Sequence, residues 1–234
     1  MGDSVRQWIQ RSLWEVVPRD HRQTAKDLRR RQLITAGFVV AGAVVLGILL
    51  RLDEGSQAFV GFSFLLAGVW AVGAFASGPI HLGRIARHDM VVRPILQPLA
   101  LGAALAGIFV LGALVVREIP WLAEQVRGVL GFATEGYLPV LIVVTAVNGI
   151  AEELFFRGAA YAAITKYPVV WTTVAYTIAT AATGNIMLAF AAILLGFLVG
   201  LQRRASGGVL GPIITHCTWS LTMLLTLPAI FGVS

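Results

Sequence analysis

The sequence predicts an all-α fold: a multi-pass integral membrane helical bundle with about seven transmembrane helices. Two observations predict it. Of the 234 residues, 57% are hydrophobic and only 13% charged, and the mean hydropathy is +0.80, whereas a soluble domain carries about a quarter charged residues. The apolar residues also gather into long runs, most of them near the roughly 20 residues that a bilayer-crossing helix needs.

The chain opens on a segment unlike the rest. Val5, Trp8, Ile9, Leu13, Val16 and Val17 recur at helical spacing, with Arg6, Gln10 and Arg11 elsewhere. This pattern predicts a short amphipathic helix, lying among headgroups or packing on another part of the protein. Residues 1–32 hold eight Lys/Arg against four Asp/Glu, which is +4 of the net +6. A basic cluster at the edge of a membrane protein fits topology and anionic lipid, so a nucleic-acid partner is not expected. The first long apolar run follows this charged segment and ends on Arg51-Leu-Asp-Glu, without a small-residue cleavage site. It is expected to remain as an anchor.

The candidate spans are 33–50, 57–77, 95–116, 138–160, 168–183, 186–201 and 209–231. The fifth and sixth are short and meet at Thr183-Gly184-Asn185, either a tight turn outside the membrane or a break inside it. Residues 119–130 form an amphipathic stretch expected along the outer interface. Basic loops (1–32, 78–94, Lys166, Arg203-Arg204) alternate with neutral or acidic ones (51–56, 117–137). The positive-inside rule then gives a cytoplasmic N-terminus in a plasma-membrane protein. Three regions are expected: 1–32 as a basic cytoplasmic segment, 33–135 as an N-terminal transmembrane region, and 136–234 as a core, divided near Thr134-Glu135-Gly136. The lone cysteine, Cys217, rules out an internal disulfide and reads as a buried, inert thiol.

Ionisable residues inside spans cost several kcal/mol, roughly 2.5–3.5 each on insertion scales, and so mark function. Between Leu138 and Tyr161 the ionisable residues are Glu152, Glu153, Arg157 and Tyr161 itself. Glu153 and Arg157, at i and i+4, share a face and can pair. Glu152 is turned about 100° away, onto the face of Asn148 and Gly149, and remains available as a general base. The last span adds His216 and Ser220, again one turn apart. Gly196 and Gly200, four residues apart in the preceding span, permit close helix approach.

These residues resemble the CPBP family of intramembrane proteases (CAAX-processing type II, or Abi). The first family motif, Glu-Glu-x-x-x-Arg, is matched by Glu152-Glu153-Leu-Phe-Phe-Arg157, with Gly158 following. A Gly196-x-x-x-Gly200 helix, the basic turn at Arg203-Arg204 and Pro212-Ile-Ile-Thr-His216-Cys-Thr-Trp-Ser220 match the third. The resemblance covers about residues 136–232 and implies an endopeptidase in which Glu152 and a second-motif His activate water. His216 and its partner four residues on would hold the oxyanion. The second motif, Phe-x-x-x-His, departs from the pattern: it falls on Tyr176-Thr-Ile-Ala-Thr180, or in another register on Ala181 to Asn185, so Thr180 or Asn185 stands where His is expected. Ser220 replaces the usual Asn or Asp. The resemblance also carries a possible divalent metal, although no standard zinc motif is present. The expected partners are the lipid bilayer and a membrane-associated peptide or protein substrate. Two further functions stay open, a catalytically degenerate peptide- or protein-binding relative and a proton-coupled transporter. Against the last, the chain shows no repeated halves.

Overall fold

The computed structural model describes residues 2–19, 21–53, 56–87, 90–135 and 137–233. It is a helical membrane bundle. Helix α1 (Gly2–Leu13) precedes three long apolar helices, α2 (Ala25–Leu49), α3 (Gln57–Ser77) and α4 (Leu96–Val116). Helix α5 (Pro120–Glu135) leads into α6 (Leu138–Glu153), which continues through a π-helical turn, Leu154–Ala160, into the short α7 (Tyr161–Ala163). The chain ends on α8 (Pro168–Ala181), α9 (Ile186–Ser206) and α10 (Leu210–Phe231).

Among the described residues, six helices are long and apolar enough to cross a membrane: α2, α3, α4, the continuous Leu138–Ala163 rod, α9 and α10. The expected seventh, α8, has 14 residues, about 21 Å at 1.5 Å per residue against a hydrocarbon core of about 30 Å. It forms an antiparallel hairpin with α9, in which Val169 lies against Gly200 and Thr173 against Gly196. The hairpin turn is held at one end of the bundle by the Asn185 Nδ2 donor to the Gln125 carbonyl of α5, 2.6 Å.

Both amphipathic segments are helical and pack on the bundle. The apolar stripe of α5 (Ala123, Val126 and Leu130) packs on Ala113 of α4 and Phe231 of α10. From the segment around α1, Leu13 packs on Val169 and Leu201, and the Val17 amide donates to the Ala205 carbonyl at 3.2 Å. Val5, Ile9 and Trp14 stay exposed. Between α3 and α4 the chain forms a small antiparallel hairpin that helical periodicity gave no reason to expect. Its strands are β1 (Ile85–Arg87) and β2 (Met90–Val92), with Ile85 opposite Val92. The proposed division at residue 136 falls between α5 and α6, and Gly136 itself lies outside the described residues.

The main apolar core fixes the π-helical turn. Phe155 and Phe156 pack against Trp70 of α3, ring centroids 4.5 and 5.5 Å away, and Phe156 meets Tyr176 of α8 at 5.3 Å. A polar clasp fixes α10. Thr215 donates to the Pro98 carbonyl of α4 (2.9 Å) and accepts from Gln202 of α9 (2.8 Å). One helix interior thus holds the carboxylates and another the imidazole, each in a set register.

Candidate active site

The site lies where α6 ends, because the π-helical turn begins there. π-Helical turns concentrate at functional positions, since the wider turn re-aims side chains and frees carbonyls. Glu153 is fully buried, and its Oε1 accepts from Arg157 Nη1 at 3.0 Å, the pairing the i, i+4 spacing predicts. The same Oε1 lies 2.8 Å from His216 Nδ1. A carboxylate offers only acceptors, so Nδ1 carries a proton and Glu153 fixes the orientation of the ring. The sequence reading placed Glu153 with Arg157 alone; in the fold Glu153 also orients the histidine.

Arg157 is buried on every side. Its Nη2 donates to the Gly196 carbonyl at 3.1 Å, and its guanidinium lies over the Tyr176 ring, 4.9 Å from the centroid. A Cβ at Gly196 would stand 3.1 Å from that Nη2, so the first glycine of the pair makes room for the arginine. The Arg157 carbonyl accepts from Arg203 Nε at 2.6 Å. The motif is therefore gripped from both sides by α9.

Glu152 is half-buried and faces the other way. Its carboxylate interacts with the Tyr176 hydroxyl and, electrostatically, with His216. The His216 Nε2 edge lies against Gly149, 3.7 Å from where a Cβ would be, and Gly149 sits one turn before Glu152 and Glu153. Glu153 thus holds the imidazole by a hydrogen bond, and Glu152 acts on it electrostatically.

The remaining candidates are placed less favourably. The Thr180 hydroxyl donates to the Tyr176 carbonyl of its own helix at 2.9 Å. Asn185 caps α9, its Oδ1 accepting from the Met187 and Leu188 amides at 3.0 and 3.1 Å. With Nδ2 bound to Gln125, its side chain is committed to structure. Ser220 bonds weakly to the Cys217 carbonyl at 3.5 Å. It lines an apolar cavity of about 470 Å³ with Phe109, Leu130, Met187 and Trp219. Trp219 joins that cavity to the site, its ring 6.4 Å from that of His216. Cys217 is partly buried, in keeping with an inert thiol.

Residues 134–222 match the family model described as type II CAAX prenyl endopeptidase Rce1-like. The match is consistent with a membrane protease of the CPBP type. The match runs from the end of α5 through most of α10 and leaves α1 to α4 outside it. No curated protein and no solved structure matches the chain.

Within the matched segment, Tyr176 is a further residue at the site. Its hydroxyl interacts with the Glu152 carboxylate. A lone phenol inside an apolar helix was the available signal. The metal implied by the resemblance does not suit these donors. Glu153 Oε1 is occupied by Arg157 and His216, and among the described residues no group of three or more His, Cys, Asp and Glu side chains could hold a metal ion.

Proposed function

We propose that the protein is an intramembrane endopeptidase that uses a Glu-activated water to cleave a membrane-associated peptide. The observation that carries this reading is the convergence of Glu152 and the Glu153-held His216 within the CPBP-matching segment. Glu152 takes the water proton as the oxygen attacks the scissile carbonyl. His216, its ring held by Glu153, turns the Nε2 edge to the developing oxyanion and donates to it. Ser220, one turn on, is a second donor to that oxygen. Glu152 then returns the proton to the leaving amine, so the step balances without a cofactor. The end of the bundle carrying Arg19, Arg31, Arg203 and Arg204 is cytoplasmic in this reading, in keeping with the positive-inside rule.

The test is cleavage of membrane-tethered peptides by protein reconstituted in vesicles, comparing wild type with Glu152→Gln and with Glu118→Gln, an exposed control. Loss of cleavage in Glu152→Gln alone supports the reading. Equal cleavage by wild type and Glu152→Gln overturns it.

One observation favours a second reading, a CPBP relative that binds a peptide without cutting it. The second motif supplies no imidazole, and the Thr180 hydroxyl is turned to its own helix. Saturable peptide binding by wild type with no cleavage would select that reading.

A further inference from the structure

The end of the bundle away from α5 holds a second cluster of ionisable side chains, outside the carboxylate–imidazole site. Three guanidiniums arrive there from separate parts of the chain. Arg19 donates from Nη1 to the Arg204 carbonyl at the end of α9, 2.9 Å. Arg31, on α2 and only 5% exposed, donates to the Pro79 carbonyl at 3.3 Å. Arg203, 6% exposed, spends Nε on the Arg157 carbonyl and lies over the Tyr161 ring, 4.8 Å from its centroid. His81 stacks on His21, ring centroids 3.7 Å apart and 10° from parallel, within electrostatic range of Arg31 and Arg203.

The backbone around this cluster is built to hold it. The loop after α3 is laced to the α9–α10 turn by Val209 N to His81 O (2.9 Å), Leu210 N to Leu82 O (3.1 Å) and Arg84 N to Ser206 O (2.9 Å). Gly78 and Gly207 have φ of +144° and +72°, and a Cβ on them would strike Arg31 and Arg19 respectively. The turns are shaped around the arginines.

Among the described residues the cluster lacks counter-charge. Every hydrogen-bond acceptor named for Arg19, Arg31 and Arg203 is a backbone carbonyl. Among the described residues no carboxylate acts on these three or on His81; the charges felt by Arg203 are Tyr161, Arg19 and Arg31. The C-terminal end of α9 offers about half a negative charge, too little for three guanidiniums. Topology alone would be served by solvated lysines and arginines, with no need to bury two of them. Convergent guanidiniums on a fixed backbone suit the oxygens of a phosphate. They stand beside the ends of α2, α9 and α10.

We propose that Arg19, Arg31, Arg203 and His81 form a binding site for an anionic phosphate group, either a phospholipid headgroup or a soluble phosphate ester. Through the Arg203 bond to the Arg157 carbonyl, the bound anion steadies the π-helical turn that carries Arg157 and follows Glu153.

The test needs no catalysis. Purified protein in neutral detergent is titrated with phosphatidylglycerol, phosphatidylcholine or inorganic phosphate at matched ionic strength, and lipid retention is read by native mass spectrometry alongside Tm. Selective retention of phosphatidylglycerol with a raised Tm, weakened about tenfold in Arg31→Gln, assigns a lipid headgroup. The same shift with inorganic phosphate assigns a soluble ester. Should Arg31→Gln fail to fold, Arg19→Gln replaces it, and the wild-type comparison stands without either. Equal retention of the two lipids together with no response to phosphate overturns the proposal. So does a response seen only in Asp20→Asn, because that carboxylate, outside the described residues, would then be the counter-charge.

Discussion

Glu153 Oε1 lies 2.8 Å from His216 Nδ1 and 3.0 Å from Arg157 Nη1, so one carboxylate oxygen joins a guanidinium and an imidazole across two helices. All three side chains are buried. Removing one member of a buried ion pair leaves an uncompensated charge and costs about 3–5 kcal/mol. Arg157→Met is therefore expected to lower stability by an amount in that range, read as Tm or as resistance to denaturant in detergent. The double variant Glu153→Gln/Arg157→Met should recover much of the loss, because no charge is then stranded. A double variant less stable than either single change would show that the pair does not carry this energy.

The two neighbouring glutamates should separate cleanly. Glu152 is half-buried and holds no partner of the strength of Arg157, so Glu152→Gln is expected to cost little stability. As a general base its contribution is about a hundredfold or more in rate. Glu153→Gln is expected to lower stability and cleavage together, since it strands Arg157 and releases His216. Cleavage rates and Tm measured side by side check this. Retained cleavage in Glu152→Gln alongside loss in Glu153→Gln would move the base to Glu153.

Much of this arrangement was legible in the residues. The Glu153–Arg157 pair follows from i, i+4 spacing, and six of the spans follow from apolar length alone. The reach of His216 to Glu153 did not, because it depends on the register between α10 and α6. That register is set by contacts far apart in the chain, such as Thr215 with the Pro98 carbonyl. Periodicity says which face a residue occupies and nothing about which helix faces it. Asn185 shows the converse. Its position invited a catalytic role in the shifted motif, yet an Asn directly before an apolar helix is an ordinary N-cap, and local hydrogen bonding decided its place. The short α8 read as a span because its apolar run extends past the helix into Ala182 and Thr183.

Tyr176→Phe tests whether the phenol serves Glu152. The ring keeps its packing with Phe156 and Arg157, so Tm should change by little. The hydroxyl interaction with the carboxylate is lost. Cleavage should fall about tenfold, equivalent to roughly 1.4 kcal/mol in the barrier. The loss should appear in kcat with KM unchanged. An unchanged kcat would leave Tyr176 as packing alone.

Asn185→Ala gives the opposite signature. Loss of an N-cap typically costs about 1 kcal/mol, and the bond to the Gln125 carbonyl goes with it. Tm should drop while kcat holds. A collapse of kcat with Tm intact would restore Asn185 to the reaction.

Acid should weaken the basic end of the bundle. Burial holds His81 below its ordinary value of 6.5, and Arg203 and Arg31 push in the same direction. The unfolded chain takes up this proton near 6.5 and the folded chain only at lower pH, so between those points the unfolded state binds more protons. Stability therefore rises with pH through that window and is lost as pH falls below about 6.5, levelling off under the folded value. Tm in neutral detergent should be lower at pH 5.5 than at pH 7.5, and His81→Gln should remove part of that difference. A bound phosphate supplies the missing negative charge beside His81 and favours its protonated form. With phosphatidylglycerol present the acid loss should shrink, and by linkage the lipid should bind more tightly at pH 5.5 than at pH 7.5. The same pH dependence in wild type and His81→Gln would remove His81 from the account.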